Sequence, residues 1–207
     1  MFALVDKSDN SITRMLNGNR GITIGDNQYP RAIFSLWSEA ERNAINIYEV
    51  TIDNSKKKDE QWYINTNITY SFDGTNATGS YGDATAKAHA DTTWTQQQID
   101  DGDAPDGADT DTVAVEGLKT KLIRTVKAQA EGELNKTDWY ITRKSEKNTA
   151  IPSAITTHRD AVRTKQDSMC TAITNASDTP ALETLYTYTE QEDGSVTRPL
   201  GELPTLE

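Results

Sequence analysis

Val115-Glu116-Gly117-Leu118-Lys119-Thr120-Lys121-Leu122-Ile123-Arg124-Thr125-Val126-Lys127-Ala128-Gln129-Ala130-Glu131-Gly132-Glu133-Leu134 is where the periodicity of the chain changes. Val115, Leu118, Leu122, Ile123, Val126, Ala130 and Leu134 recur at intervals of three and four, with Lys119, Lys121, Arg124 and Lys127 between them. That spacing puts the apolar residues on one side of a 3.6-residue turn and predicts an amphipathic helix of about six turns. Before it the chain reads with the period of strands, and after it with the period of helices. The expected class is therefore α+β: a small antiparallel β region with one short helix at the N-terminal end, then a C-terminal amphipathic helical hairpin.

Downstream, Thr137-Asp138 is expected to cap a further helical stretch carrying Trp139 and Tyr140, and Asn148-Thr149-Ala150-Ile151-Pro152 interrupts it before Ser153 opens another helix. There Ile155, Val162, Met169 and Ala176 recur every seven residues with Ile173 beside them. Such a seam suits either a helical hairpin or a coiled coil. Ser177-Asp178-Thr179-Pro180 reads as a helix stop, and residues 177–207 as an extended tail with Pro199 and Pro204, in which Leu182, Leu185, Tyr186 and Tyr188 can dock.

Upstream, residues 2–6 and 12–16 are short apolar runs separated by the turn-forming Lys7-Ser8-Asp9-Asn10, and Gly21-Ile22-Thr23-Ile24 alternates before Gly25-Asp26-Asn27. Ser38 followed by Glu41 is a capping box, so a short helix is expected over 38–45, with Trp37 packing on its start. Residues 47–52, 61–72 and 77–86 read as strands, the last two joined by Asp73-Gly74. Polar Thr78, Ser80 and Thr85 suit an edge strand or one that pairs with another subunit. The implied organisation is a β-rich domain over 1–90, an acidic linker over 91–112, the helical hairpin over 113–176 and the tail.

The 207 residues are 35% hydrophobic, yet include eight tyrosines and four tryptophans, which describes a folded chain with thin cores and a wet surface. Net charge is -11 and is unevenly spread. Between Lys87 and Lys119 there is no basic residue, while Asp91, Asp100, Asp101, Asp103, Asp106, Asp109, Asp111 and Glu116 supply eight acids, leaving 24 acidic against 21 basic residues elsewhere. A local acidic segment on a nearly balanced chain argues against a nucleic-acid surface, which needs a basic face. No apolar run is long enough for a bilayer, so no membrane partner is expected. The single Cys170 rules out an internal disulfide. With no signal-like start, the chain is expected in the cytoplasm or in something assembled there.

Sites of chemistry are not expected: catalytic none, cofactor none, metal none. Asp100-Asp101-Gly102-Asp103-Ala104-Pro105-Asp106-Gly107-Ala108-Asp109-Thr110-Asp111 has no register that fits a calcium loop, since starting at Asp101 places Pro105 fifth and Thr112 last. It reads as a solvated loop. His89 and His158 have no ligand partner at a metal spacing, and His158 falls on a surface or seam. Cys170 neighbours Met169 on the seam, where a buried, inert thiol is expected. Asn17-Gly18-Asn19-Arg20-Gly21 lacks the Gly-Lys-Ser/Thr ending of a phosphate loop and precedes a strand, so it reads as a turn.

Two groups of residues carry a resemblance. Tyr29-Pro30, Ile33-Phe34, Leu36-Trp37-Ser38, Glu41-Arg42 and Ile47-Tyr48-Glu49-Val50 resemble the N-terminal module of small tail-fibre-region proteins of tailed bacteriophages. Thr137-Asp138-Trp139-Tyr140, Arg143-Lys144, Ile151-Pro152, His158-Arg159 and Val162-Arg163 resemble the helical segment shared by such proteins and by phage tail-fibre assembly proteins, with His158 standing where an aromatic, often tyrosine, is usual. The resemblance implies a non-enzymatic virion protein of the tail or fibre region, assembled in the host cytoplasm. Its expected partners are other tail proteins and copies of itself, a trimer being favoured; the alternative is a tail-fibre assembly chaperone that binds a fibre protein transiently. Trp37, Trp139 and Arg143 are expected to hold the fold, with Trp139 as a core anchor at a helix start.

Overall fold

The computed structural model describes residues 1–206 and is mixed α+β, with an N-terminal β region and C-terminal helices. It divides into two compact units, Met1–Thr85 and Ala86–Glu207.

In the first unit β1 (Phe2–Asp6) and β2 (Ser11–Leu16) pair antiparallel. In their turn the Asp6 carboxylate accepts from the Ser8 amide and hydroxyl at 2.9 and 2.7 Å. β3 (Ile22–Ile24) and β4 (Asn27–Tyr29) form a hairpin whose two-residue turn requires Gly25 at φ 57°. Two short helices follow where one was expected. α1 (Ile33–Leu36) is a single turn, because buried Ile33 pulls the run leading to the cap onto the sheet. α2 (Glu39–Ala44) has the expected capping box: the Ser38 hydroxyl accepts from the Glu41 amide at 3.4 Å, and the Glu41 carboxylate accepts from the Ser38 amide at 2.8 Å.

Then come β5 (Ile47–Asp53), β6 (Tyr63–Ile64), β7 (Thr69–Phe72), β8 (Ala77–Ser80) and β9 (Thr85–Ala86). The main sheet runs β2-β1-β5-β8-β7. It is mixed rather than antiparallel, because β8 pairs parallel with β5, Val50 opposite Ala77 and Ile52 opposite Gly79. β8 is therefore central, not the edge strand its threonines and serine suggest. The reason is size. Ala77 and Gly79 face the interior between Tyr70, Phe72, Val50 and Ile52, and a Cβ on Gly79 would stand 2.8 Å from the Tyr70 ring and 2.9 Å from the Ile52 methyl. The strand with the smallest inward residues takes an interior place between β5 and β7, and the edge strands β2 and β7 come near each other. The sheet packs Ala3, Val5, Tyr48, Val50, Phe72 and Ala77 on one face. Its other face buries Phe2 and Ile47 under Ile22 and Ile33.

The second unit includes the acidic segment near its start. β10 (Thr92–Thr93) and β11 (Val113–Val115) pair antiparallel and flank α3 (Gln96–Asp100), so the acids sit on an excursion of this unit. Val115 belongs to β11 and is exposed; the long helix α4 (Leu118–Asn135) starts after Gly117. Its first amides are satisfied from outside the helix. The Asp91 carboxylate accepts from the Gly117 amide at 2.7 Å and the Thr120 hydroxyl at 2.8 Å, and Leu118 and Lys119 donate to the Ala88 and His89 carbonyls at 3.0 and 2.9 Å.

α5 (Asp138–Lys147) and α6 (Ser153–Asn175) follow, and α4 packs on α6. The seven-residue seam of Ile155, Val162, Met169 and Ala176, with Ile173, is buried inside this unit together with Val126 and Ala130 of α4. The presumed tail is not extended. Asp178 caps α7 (Thr179–Tyr186), accepting from the Ala181 amide at 2.8 Å with Pro180 in the first turn, so the helix stop is equally a helix start. Leu182 and Leu200 are buried, and β12 (Thr189–Glu190) pairs with β13 (Val196–Thr197).

Candidate functional site

The motif residues of the second unit meet around one buried arginine. Arg159 on α6 reaches the junction of α4 and α5, where its Nη1 donates to the Leu134 carbonyl at 2.8 Å and the Thr137 hydroxyl at 2.7 Å, and pairs with Asp138 Oδ1 at 2.7 Å. Thr137 is buried and makes no cap for α5; its hydroxyl donates to the Leu134 carbonyl at 2.9 Å while accepting from Arg159. The expected cap is displaced because the guanidinium needs an acceptor there. Removing a buried cation from water is costly unless its donors are satisfied, and this cluster satisfies carbonyl, hydroxyl and guanidinium together.

The clamp fixes where α5 leaves the core, and α5 has no buried residue. Trp139 is not the core anchor expected of it: it is 51% exposed. Its ring lies 3.7 Å from that of Tyr140, centroid to centroid, and the Arg143 guanidinium sits 4.9 Å from the Trp139 ring and 5.5 Å from the Tyr140 ring. Residues three and four apart share a helix face, so Arg143 covers both rings from the next turn. Its Nε has no hydrogen-bond partner among the described residues. Ile141, also exposed, adds apolar area, and Lys144 and Lys147 add charge. Trp, Tyr and Arg are the residue types that dominate protein interfaces, because they give large contact area and directed donors for little ordering entropy; here Trp139 is exposed, and half-buried Tyr140 and Arg143 support it. This platform is the candidate functional surface. The spacing of Trp139, Tyr140 and Arg143 was readable in sequence, but the exposure of Trp139 was not.

The other sequence candidates lie apart from it. Asp109 in the acidic excursion accepts from the Thr112 hydroxyl at 2.7 Å and the Asp111 amide at 3.1 Å, which hold its carboxyl below the usual range. No group of three His, Cys, Asp or Glu side chains among the described residues is placed to hold a metal ion. His158 is buried beside Arg159 on α6, its Nε2 without a hydrogen-bond partner among the described residues. Cys170 is half-buried, and burial pushes its thiol above the ordinary value, away from nucleophilic use. The turn at Asn17–Gly21 lines a cleft in the first unit. No helix among the described residues is long and apolar enough to cross a membrane.

Compared with protein families, curated proteins and solved structures, the chain finds no match.

Proposed function

We propose that the chain is a non-enzymatic subunit of a bacteriophage tail or fibre apparatus that acts by packing against other virion proteins. The observation that carries the assembly reading is the Trp139-Tyr140-Arg143 stack, with Trp139 exposed and Tyr140 and Arg143 half-buried beneath it, on a helix positioned by the Arg159 clamp. The tail assignment rests on the motif resemblance, whose Thr137, Asp138 and Arg159 are the residues of the clamp. α4 and α6, with α5 between them in the chain, are read as an amphipathic helical hairpin that presents the platform. The partner surface is acidic, complementary to Arg143, Lys144 and Lys147. Because the seam is buried within one chain and β8 is an interior strand, neither supports the trimer; the oligomeric reading rests on the thin cores and the resemblance.

Light scattering on the purified full-length protein, together with the protein composition of assembled particles, tests the reading. The expected result is incorporation into particles that the double variant Trp139→Ser/Arg143→Ser loses, with unfolding free energy changed by less than about 1 kcal/mol because α5 has no buried residue. A protein needed for assembly but missing from finished particles acts as a tail-fibre assembly chaperone instead. Undiminished incorporation of the variant rejects the platform.

A further inference from the structure

We propose that the cleft between β2, the turn at residues 17–21 and α1 is a binding site for a small ligand bearing a carboxylate or phosphate group on a ring or other apolar body. The cleft has a volume of about 500 Å³ and is lined by Arg14, Asn17, Asn19, Arg20 and Phe34 among others, with no acidic side chain in its wall. Cavities of about 300–1,000 Å³ suit small ligands.

Charge is the first reason. In a protein of net charge -11, two exposed arginines lie together in one wall without a carboxylate. Exposed Arg124 and Arg163 each form an ion pair, whereas Arg14 and Arg20, like Arg31, form none among the described residues. Arg14 commits one donor, Nη2 to the Thr23 carbonyl at 3.4 Å, and its other donors are left for a ligand. Two arginines and two asparagines in the lining of one cleft match the chemistry of an oxyanion, which accepts forked hydrogen bonds.

Shape is the second. Gly18 adopts φ 68°, and a Cβ there would stand 3.3 Å from the Phe34 ring. Glycine thus lets the turn fold back against Phe34, bringing an aromatic surface into a wall otherwise rich in Arg and Asn. An anionic group and an apolar body are served by different parts of the same wall. A second cavity of this unit, about 160 Å³ between Glu39 and Glu49, is smaller and of the wrong sign.

The test is a titration of the full-length protein at constant ionic strength, followed by amide NMR, with phenyl phosphate, benzoate and neutral benzamide as probes. Phenyl phosphate or benzoate is expected to shift the amides of residues 17–21 saturably, with a dissociation constant of about 1 mM, and benzamide to leave them unmoved. The Arg14→Gln/Arg20→Gln variant is expected to bind about tenfold or more weakly, consistent with loss of charge-assisted bonds. Tighter phenyl phosphate identifies a phosphate ligand, and tighter benzoate a carboxylate. Should the double variant fail to fold, Arg20→Gln alone, in an exposed turn, is judged by the same weakening. Absence of saturation, equal binding by benzamide, or unchanged affinity in a folded variant overturns the site.

Discussion

Arg159 shows how much one side chain can hold when it is buried with its acceptors. Replacing it by alanine removes the charged donor from the Leu134 carbonyl and the Thr137 hydroxyl, leaves a cavity beside them, and frees Asp138 from the partner that positions α5. Such a loss is expected to lower the unfolding free energy by about 2–4 kcal/mol in denaturant titration. Because all three contacts come from the single Nη1, Arg159→Lys should recover part of it, to the extent that the shorter side chain places its ammonium at the same point. A cost below about 1 kcal/mol for Arg159→Ala would show that water replaces the guanidinium freely. At this scale the sequence displayed the residues but not their company. Thr137 before Asp138 looked like a cap, and only the return of α6 put an arginine within reach of its hydroxyl. Trp139 looked like core for the same reason: residue type predicts burial on average, and exposure is settled by which helix face finds a neighbour.

Among the elements, α4 is the one whose start depends on a distant residue. The carboxylate of Asp91 takes the place of a side-chain cap that Gly117 cannot provide, and the Gly117 amide and Thr120 hydroxyl hold its pKa below the usual carboxylate value. A depressed folded pKa means the unfolded state binds the proton more readily, so the tie contributes fully above the unfolded value near pH 4 and is lost as pH falls through the folded one. The helical unit, followed by circular dichroism, is expected to be more stable in wild type than in Asp91→Asn above about pH 4, with the difference closing as pH falls, so that Asp91→Asn flattens the acid dependence. An unchanged acid profile in Asp91→Asn rejects the capping role. Gly117→Ala is expected to destabilise more than an ordinary surface change, because the added methyl collides with the Ala90 carbonyl. In the first unit Gly79→Val should cost about 1–3 kcal/mol by overpacking Tyr70 and Ile52, and a neutral outcome would mean the sheet can relax outward. Local signals read well where they were self-contained. The Ser38 box, the Asp73-Gly74 turn between β7 and β8, and the α4 and α6 periods are decided within a few residues. The sequence Asp178-Thr179-Pro180 was read as an ending although the same residues cap α7, because a stop and a start share the same chemistry.

For the whole molecule, the buried seam makes the helical unit sensitive to charge. Val162→Asp/Met169→Asp puts two carboxylates at positions that are 0 and 2% exposed, and is expected to abolish the cooperative helical transition rather than merely weaken association. A folded double variant by circular dichroism would return the seam to the surface and with it the coiled-coil reading. What the sequence determined by itself was the α+β class, the position near residue 115 where strands give way to helices, and the acidity of one segment, because period, turn chemistry and charge are properties of neighbours along the chain. Tertiary structure alone decided that β8 lies centrally and parallel to β5, that the acidic segment belongs to the helical unit, that the seam is internal, and that Trp139 faces outward. Each of those depends on which distant surfaces fit together, and the fit is set by side-chain volume and by where buried polar groups find partners.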